Sequence, residues 1–210
     1  MNLKKLKQAE EAFLYRYPGG FDNPEITATR HKKHNVDKMI GFAQESFAKR
    51  NFKFPDQIVQ SMIKVINRSS VISIFEKPRF RDFAETLSPE GTQLISVGLK
   101  ELLHGNEQIG FETILEMLKR GKLAKWSLMT VCQTYFHPRR EVLVKPATVK
   151  GIIEYFELKN LQYKPTPTWA FYEAYRSTIH EMKSNVDPSL SPSNPAFSWF
   201  LLLSFHGNVF

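Results

Sequence analysis

Ser88 to Gly121 reads SPEGTQLISVGLKELLHGNEQIGFETILEMLKRG, and the spacing of its apolar residues decides the fold. Ile95, Leu99, Leu102 and Leu103 gather on one face when each residue turns by about 100°. Phe111, Ile114, Leu115 and Leu118 form a second stripe of the same kind. Ser88 offers a capping oxygen, Pro89 suits a first helical turn that needs no N–H there, and Glu90 complements the positive end of the dipole. Gly105-Asn106 is too short a break for anything but a turn, and Gly121 supplies a stop, so two neighbouring antiparallel helices are expected.

The same pattern extends in both directions. Val36, Met39, Ile40, Ala43 and Phe47 make a stripe, as do Ile58, Met62, Ile63 and Ile66, then Val149, Ile152, Ile153 and Phe156, and finally Phe171, Tyr175, Ile179 and Met182. Proline stands ahead of three of them, at Pro55, Pro146 and Pro167. Each amphipathic stripe needs the others as cover. The expected fold is all-α, an irregular multi-helix bundle of about nine or ten helices. Only Val71 to Phe75 (VISIF) and Glu141 to Lys145 (EVLVK) have the β-branched texture of strands, which allows at most one small β-ribbon.

Loops divide the chain but do not demand two domains. The expected order within a single domain is a helix over 1–16, a loop over 17–28 rich in Pro and Gly, a helical body over 29–186, a Pro/Ser loop over 187–195 and an apolar helix over 196–206. That last helix, AFSWFLLLSF at its heart, is about half the roughly 20 residues needed to cross a bilayer. The opening MNLKKLKQAEEAFLYRYPGG lacks the continuous apolar run of a signal peptide. These features predict a cytoplasmic protein with no membrane partner.

The chain carries 29 Lys and Arg against 21 Asp and Glu, a net charge of +8. Residues 117–165 hold ten basic against three acidic residues, whereas residues 69–116 hold four against eight. Clustered cations attract polyanions, and each phosphate they neutralise releases counterions. Lys119, Arg120, Lys122 and Lys125 surround one turn, Arg139 and Arg140 the next, and Lys145 and Lys150 follow. The leading expectation is a non-catalytic binding protein whose basic region contacts a polyanion such as nucleic acid. A solvated basic face, with Lys119 and Arg120 serving only a helix carboxy terminus, accounts for the same residues.

Enzyme motifs are absent. There is no phosphate-binding glycine loop, no G-x-S-x-G and no H-E-x-x-H, and the single cysteine, Cys132, sits in an apolar helical pattern that disfavours its thiolate. No cofactor is expected. His31, His34 and Asp37 share one helix edge, but Arg30, Lys32, Lys33 and Lys38 would repel a cation, so no metal site is assigned. The loop that begins at Tyr17, with Gly19, Gly20 and Asp22, is of a composition that often carries function. Together with His31 and His34 it marks where an unrecognised enzyme site would lie. The last 45 residues are crowded with aromatics, and the alternative to the polyanion reading is a protein-interaction or oligomerisation surface using Trp169, Arg176 and Trp199.

Overall fold

The computed structural model describes residues 1–33 and 36–206, with the side chains of 29–33 and 206 outside the description. Those residues form eleven α-helices and three short 3-10 turns, and no strand occurs among them. The helices run α1 (Leu3–Arg16), α2 (Pro24–Lys33), α3 (Val36–Ser46), α4 (Pro55–Arg68), α5 (Glu76–Glu85) and α6 (Pro89–His104). They continue with α7 (Glu107–Arg120), α8 (Trp126–Phe136), α9 (Pro146–Tyr155), α10 (Trp169–Ser184) and α11 (Asn194–His206). Two compact units emerge, each assembled from separated pieces of chain.

One unit comprises Val36–His137 and Pro165–Trp169. Its centre is the α6–α7 hairpin. Ser88 Oγ accepts from the Gly91 amide and Asn106 Oδ1 from the Ile109 amide, so both helices begin on side-chain caps. The four residues of each stripe are buried. α4 lies on α6, and α8 packs against α3, α4, α6 and α7 with all eleven of its residues buried. A helix covered all round must settle its polar side chains internally. Thr130 Oγ1 donates to the Trp126 carbonyl at 2.9 Å and Thr134 Oγ1 to the Thr130 carbonyl at 2.7 Å, each one turn back.

The other unit comprises Met1–Asn35, Pro138–Lys164 and Ala170–Phe210. Leu6, Ala9 and Phe13 of α1 are buried, and the Phe13 ring stands edge-on to Phe200 of α11 at 5.3 Å. α11 also packs on α9, where a Cβ added to Gly151 would lie 2.4 Å from the Phe205 ring. α2 starts at Pro24, inside the stretch expected to be loop, because Asn23 Oδ1 accepts from the Glu25 amide and the Asn23 carbonyl from the Thr27 amide. Proline at the first helical position completes that start.

Neither β-branched segment becomes a strand. In Val71 to Phe75 the short side chain of Ser73 wins: its hydroxyl accepts from the Phe75 amide and its carbonyl from the Glu76 and Lys77 amides, which curls the segment into a turn. Glu141 to Lys145 buries Val142 and Val144, but its polar backbone groups meet side chains of α10 and α11 instead of a second strand.

Candidate functional site

The eight cations read from the sequence fall into the two units. Lys119, Arg120, Lys122 and Lys125 belong to the unit built on α6 and α7, and all four side chains are exposed. Lys119 pairs with Glu116 one turn back. Lys122 has a left-handed backbone, φ 54°, because it closes α7: its amide donates to the Lys119 carbonyl and the Leu123 amide to the Leu118 carbonyl. Gly121, the expected stop, has an ordinary φ of −83°. It is small for a different reason, since a Cβ there would lie 2.6 Å from the Phe83 ring.

Arg139, Arg140, Lys145 and Lys150 belong to the other unit and are also exposed. Lys145 precedes α9, and the Lys150 ammonium sits over the Tyr163 ring, 5.2 Å from its centre. Arg139 and Arg140 lie on a segment that α10 and α11 grip by its backbone. The Pro138 carbonyl accepts from the Asn194 amide, that of Arg139 from Lys183 Nζ, that of Arg140 from His180 Nε2 and that of Glu141 from Asn194 Nδ2. Four consecutive carbonyls are thereby held at 2.7, 3.5, 2.7 and 3.0 Å.

The side chain of Glu141 turns inward, only 3% exposed. Its carboxylate accepts from Arg140 Nε at 2.7 Å, from Arg176 Nη1 at 2.9 and 3.0 Å, and from the Tyr172 hydroxyl at 2.6 Å. A buried carboxylate must be surrounded in this way, because an unpaired one would cost several kcal/mol. Burial first, and then the adjacent Glu141 charge, push the Tyr172 phenol well above its ordinary pKa, so it remains a donor.

Lys183 completes the cluster. Its ammonium donates to Asn194 Oδ1 at 2.6 Å, and the neighbouring Arg139 charge is of like sign. Burial and that neighbour lower its pKa. The result is a surface carrying Arg139, Arg140, His180 and Lys183, with Arg176 behind them and one inward carboxylate in their midst. The chain matches no known protein family, no curated protein and no solved structure.

His180, Lys183 and Asn194 escaped the sequence reading because they lie some 40 to 56 positions from the carbonyls they hold. Their signal was present only as basic residues on α10 beside its apolar stripe. Arg176, expected at a protein interface, is turned onto Glu141. Trp169 and Trp199 are each partly covered, by Phe111 at 5.7 Å and by Phe21 at 5.6 Å.

The glycine loop is a packing device. Gly19 and Gly20 take φ 82° and 62°, and a Cβ on Gly20 would lie 2.4 Å from Ser189 Oγ. The Tyr17 ring lies tilted against Phe13 at 5.2 Å and under the Arg16 guanidinium, while Asp22 is exposed. His34 and the side chain of His31 lie outside the described residues. Among the described residues no group of three His, Cys, Asp or Glu is arranged to hold a metal ion, and no helix is long and apolar enough to cross a membrane. Cys132 is buried, which pushes its thiol up to about 12. A cleft of about 410 Å³ opens between Asn2, Glu157, Asn160, Thr178 and Glu181, and none of the eight cations lines it.

Proposed function

We propose that this protein is a non-catalytic binding protein whose basic residues hold a polyanion, nucleic acid in particular, with Arg139, Arg140, His180 and Lys183 as the centre of the contact. One observation carries the reading: Glu141, the acid at the centre of the cluster, faces inward, while the Arg139 and Arg140 side chains stay exposed. The backbone clamp on Pro138 to Glu141 supports it further, because cations held on a fixed segment meet a phosphate without first being ordered. Lys145 and Lys150 extend the same unit's charge toward the start of α9. A protein partner at Trp169, Arg176 and Trp199 has less support, since Arg176 is committed to Glu141 and both tryptophans already have aromatic neighbours.

Fluorescence anisotropy with unrelated single- and double-stranded oligonucleotides tests the proposal. Affinity falls steeply with salt, and Arg139→Glu weakens binding to all sequences alike while lowering the salt slope by about 1. Undetectable binding at low salt, or binding indifferent to salt, overturns it.

A further inference from the structure

The cleft between α1, α10 and the segment after α9 lies wholly within one unit, and its volume of about 410 Å³ falls in the range of small-molecule sites, about 300–1,000 Å³. Met1, Asn2, residues 157–161, Thr178 and Glu181 line it. Leu158 and Leu161 are buried and supply its apolar part, whereas Glu157, Lys159, Asn160 and Glu181 are exposed.

The walls are fixed by bonds of the chain itself. The Leu158 amide donates to the Ile153 carbonyl at 2.9 Å and the Leu161 amide to the Leu158 carbonyl at 3.0 Å, while the Asn2 amide donates to the Phe156 carbonyl at 2.8 Å and ties α1 to the same turn. Between them Glu157 is held left-handed, φ 53°, a conformation that persists only where the surroundings over-determine it. Its carboxylate is already engaged, by Lys5 at 3.0 Å and by Asn2 Nδ2 at 3.2 Å. Those two bonds, and to a smaller extent the Lys159 charge, hold it below its ordinary pKa.

Two opposite charges are left over. The Lys159 ammonium and the Glu181 carboxylate line one cleft, yet neither makes a hydrogen bond or an ion pair among the described residues, and the Asn160 side-chain amide makes none either. A ligand that carries both charges satisfies them together: its ammonium meets Glu181, its carboxylate meets Lys159 and Asn160, and its apolar body covers Leu158 and Leu161. A simple cation would be repelled by Lys159 and a simple anion by Glu181.

We propose that this cleft binds a small zwitterion with an apolar body, of the class of an apolar dipeptide with free termini. The proposal does not rest on the polyanion reading and stands or falls apart from it.

Titration of the whole chain with leucyl-leucine, followed by amide proton–nitrogen correlation spectra, tests it. Resonances of residues 157–161 shift and saturate. N-acetyl-leucyl-leucine, which lacks the ammonium, and leucyl-leucine amide, which lacks the carboxylate, each bind at least about tenfold more weakly. Glu181→Gln weakens leucyl-leucine to the level of its acetylated form and leaves the acetylated form unchanged, and Lys159→Gln does the same with respect to the amide. Both substitutions alter exposed side chains without partners, so the fold is kept. Absence of saturable shifts at millimolar ligand overturns the proposal, as does equal binding of the three compounds or binding of leucyl-leucine that survives both substitutions.

Discussion

Tyr172 donates its phenolic hydrogen to the Glu141 carboxylate over 2.6 Å, although the two stand 31 positions apart and both are buried. Removing each partner in turn has unequal consequences. Tyr172→Phe takes one donor from a carboxylate that keeps Arg140 and Arg176, and it costs about 1–3 kcal/mol. Glu141→Ala takes the shared carboxylate from Tyr172, Arg140 and the Arg176 guanidinium, whose side chain is 15% exposed, and costs about 3–5 kcal/mol. Urea unfolding of both variants gives the order, and a Tyr172→Phe loss exceeding that of Glu141→Ala contradicts the arrangement.

Alkali destabilises the fold from the interior. The Cys132 thiol stands at about 12 when folded against 9.0 when exposed, because burial disfavours the thiolate. A group with a raised folded pKa contributes stability that is complete below its unfolded value and is lost as pH climbs toward the folded one. Stability therefore declines from about pH 9 upward, the slope approaching about 1.4 kcal/mol per pH unit for this one group. Burial raises Tyr172 and Tyr175 from 10.0 as well, so the decline steepens beyond that point. Thermal melts across this range check it: Cys132→Ala flattens the portion between about pH 9 and 10 and leaves the steeper portion.

Two helices end on residues that a left-handed backbone suits poorly. Lys122 has φ 54° at the end of α7, and Glu157 has φ 53° at the end of α9. Lys122→Gly relieves that conformation and stabilises the protein by roughly 0.5–1 kcal/mol. Glu157→Gly gains less, because it also removes a carboxylate that accepts from Lys5 at 3.0 Å and from Asn2 at 3.2 Å. Differential scanning calorimetry shows the order, and equal gains at the two positions contradict it.

The periodicity that revealed these helices says nothing about which backbone torsion closes them. Ile95, Leu99, Leu102 and Leu103 were legible as a buried face because a helix repeats locally, and Ser88 was legible as a start because capping spans only three residues. Gly121 was legible as the stop of α7, but not that Lys122 takes the left-handed turn or that Gly121 is small because of Phe83, distant in sequence. α5 was missed: Pro78 lies just inside its first turn, and only Phe80 and Ala84 bury. The candidate site was legible in half. Arg139 and Arg140 stand in a visibly basic stretch, but the inward turn of Glu141 and the approach of His180 and Lys183 are products of packing between α10, α11 and a segment 40 or more positions earlier.

The α6–α7 hairpin rests on two glycines whose substitutions separate cleanly. At Gly110 a Cβ would lie 2.1 Å from the Leu102 amide nitrogen and 2.6 Å from the Gly98 carbonyl oxygen. Backbone cannot step aside, so Gly110→Ala forces the helices apart and costs about 1–3 kcal/mol or more. At Gly98 the nearest atoms are side-chain ends, Thr113 Cγ2 at 3.0 Å and Ile114 Cγ1 at 3.1 Å. These can rotate or shift by a few tenths of an ångström, and alanine gains about 1 kcal/mol of helix propensity over glycine. Gly98→Ala therefore stays within about 1 kcal/mol of the parent. Phe111, next to Gly110, lies 6.3 Å from the Trp126 ring, so the near-ultraviolet dichroism of Gly110→Ala changes along with its melting temperature. An unchanged spectrum and an unchanged melt at Gly110→Ala would mean that the helices do not cross there.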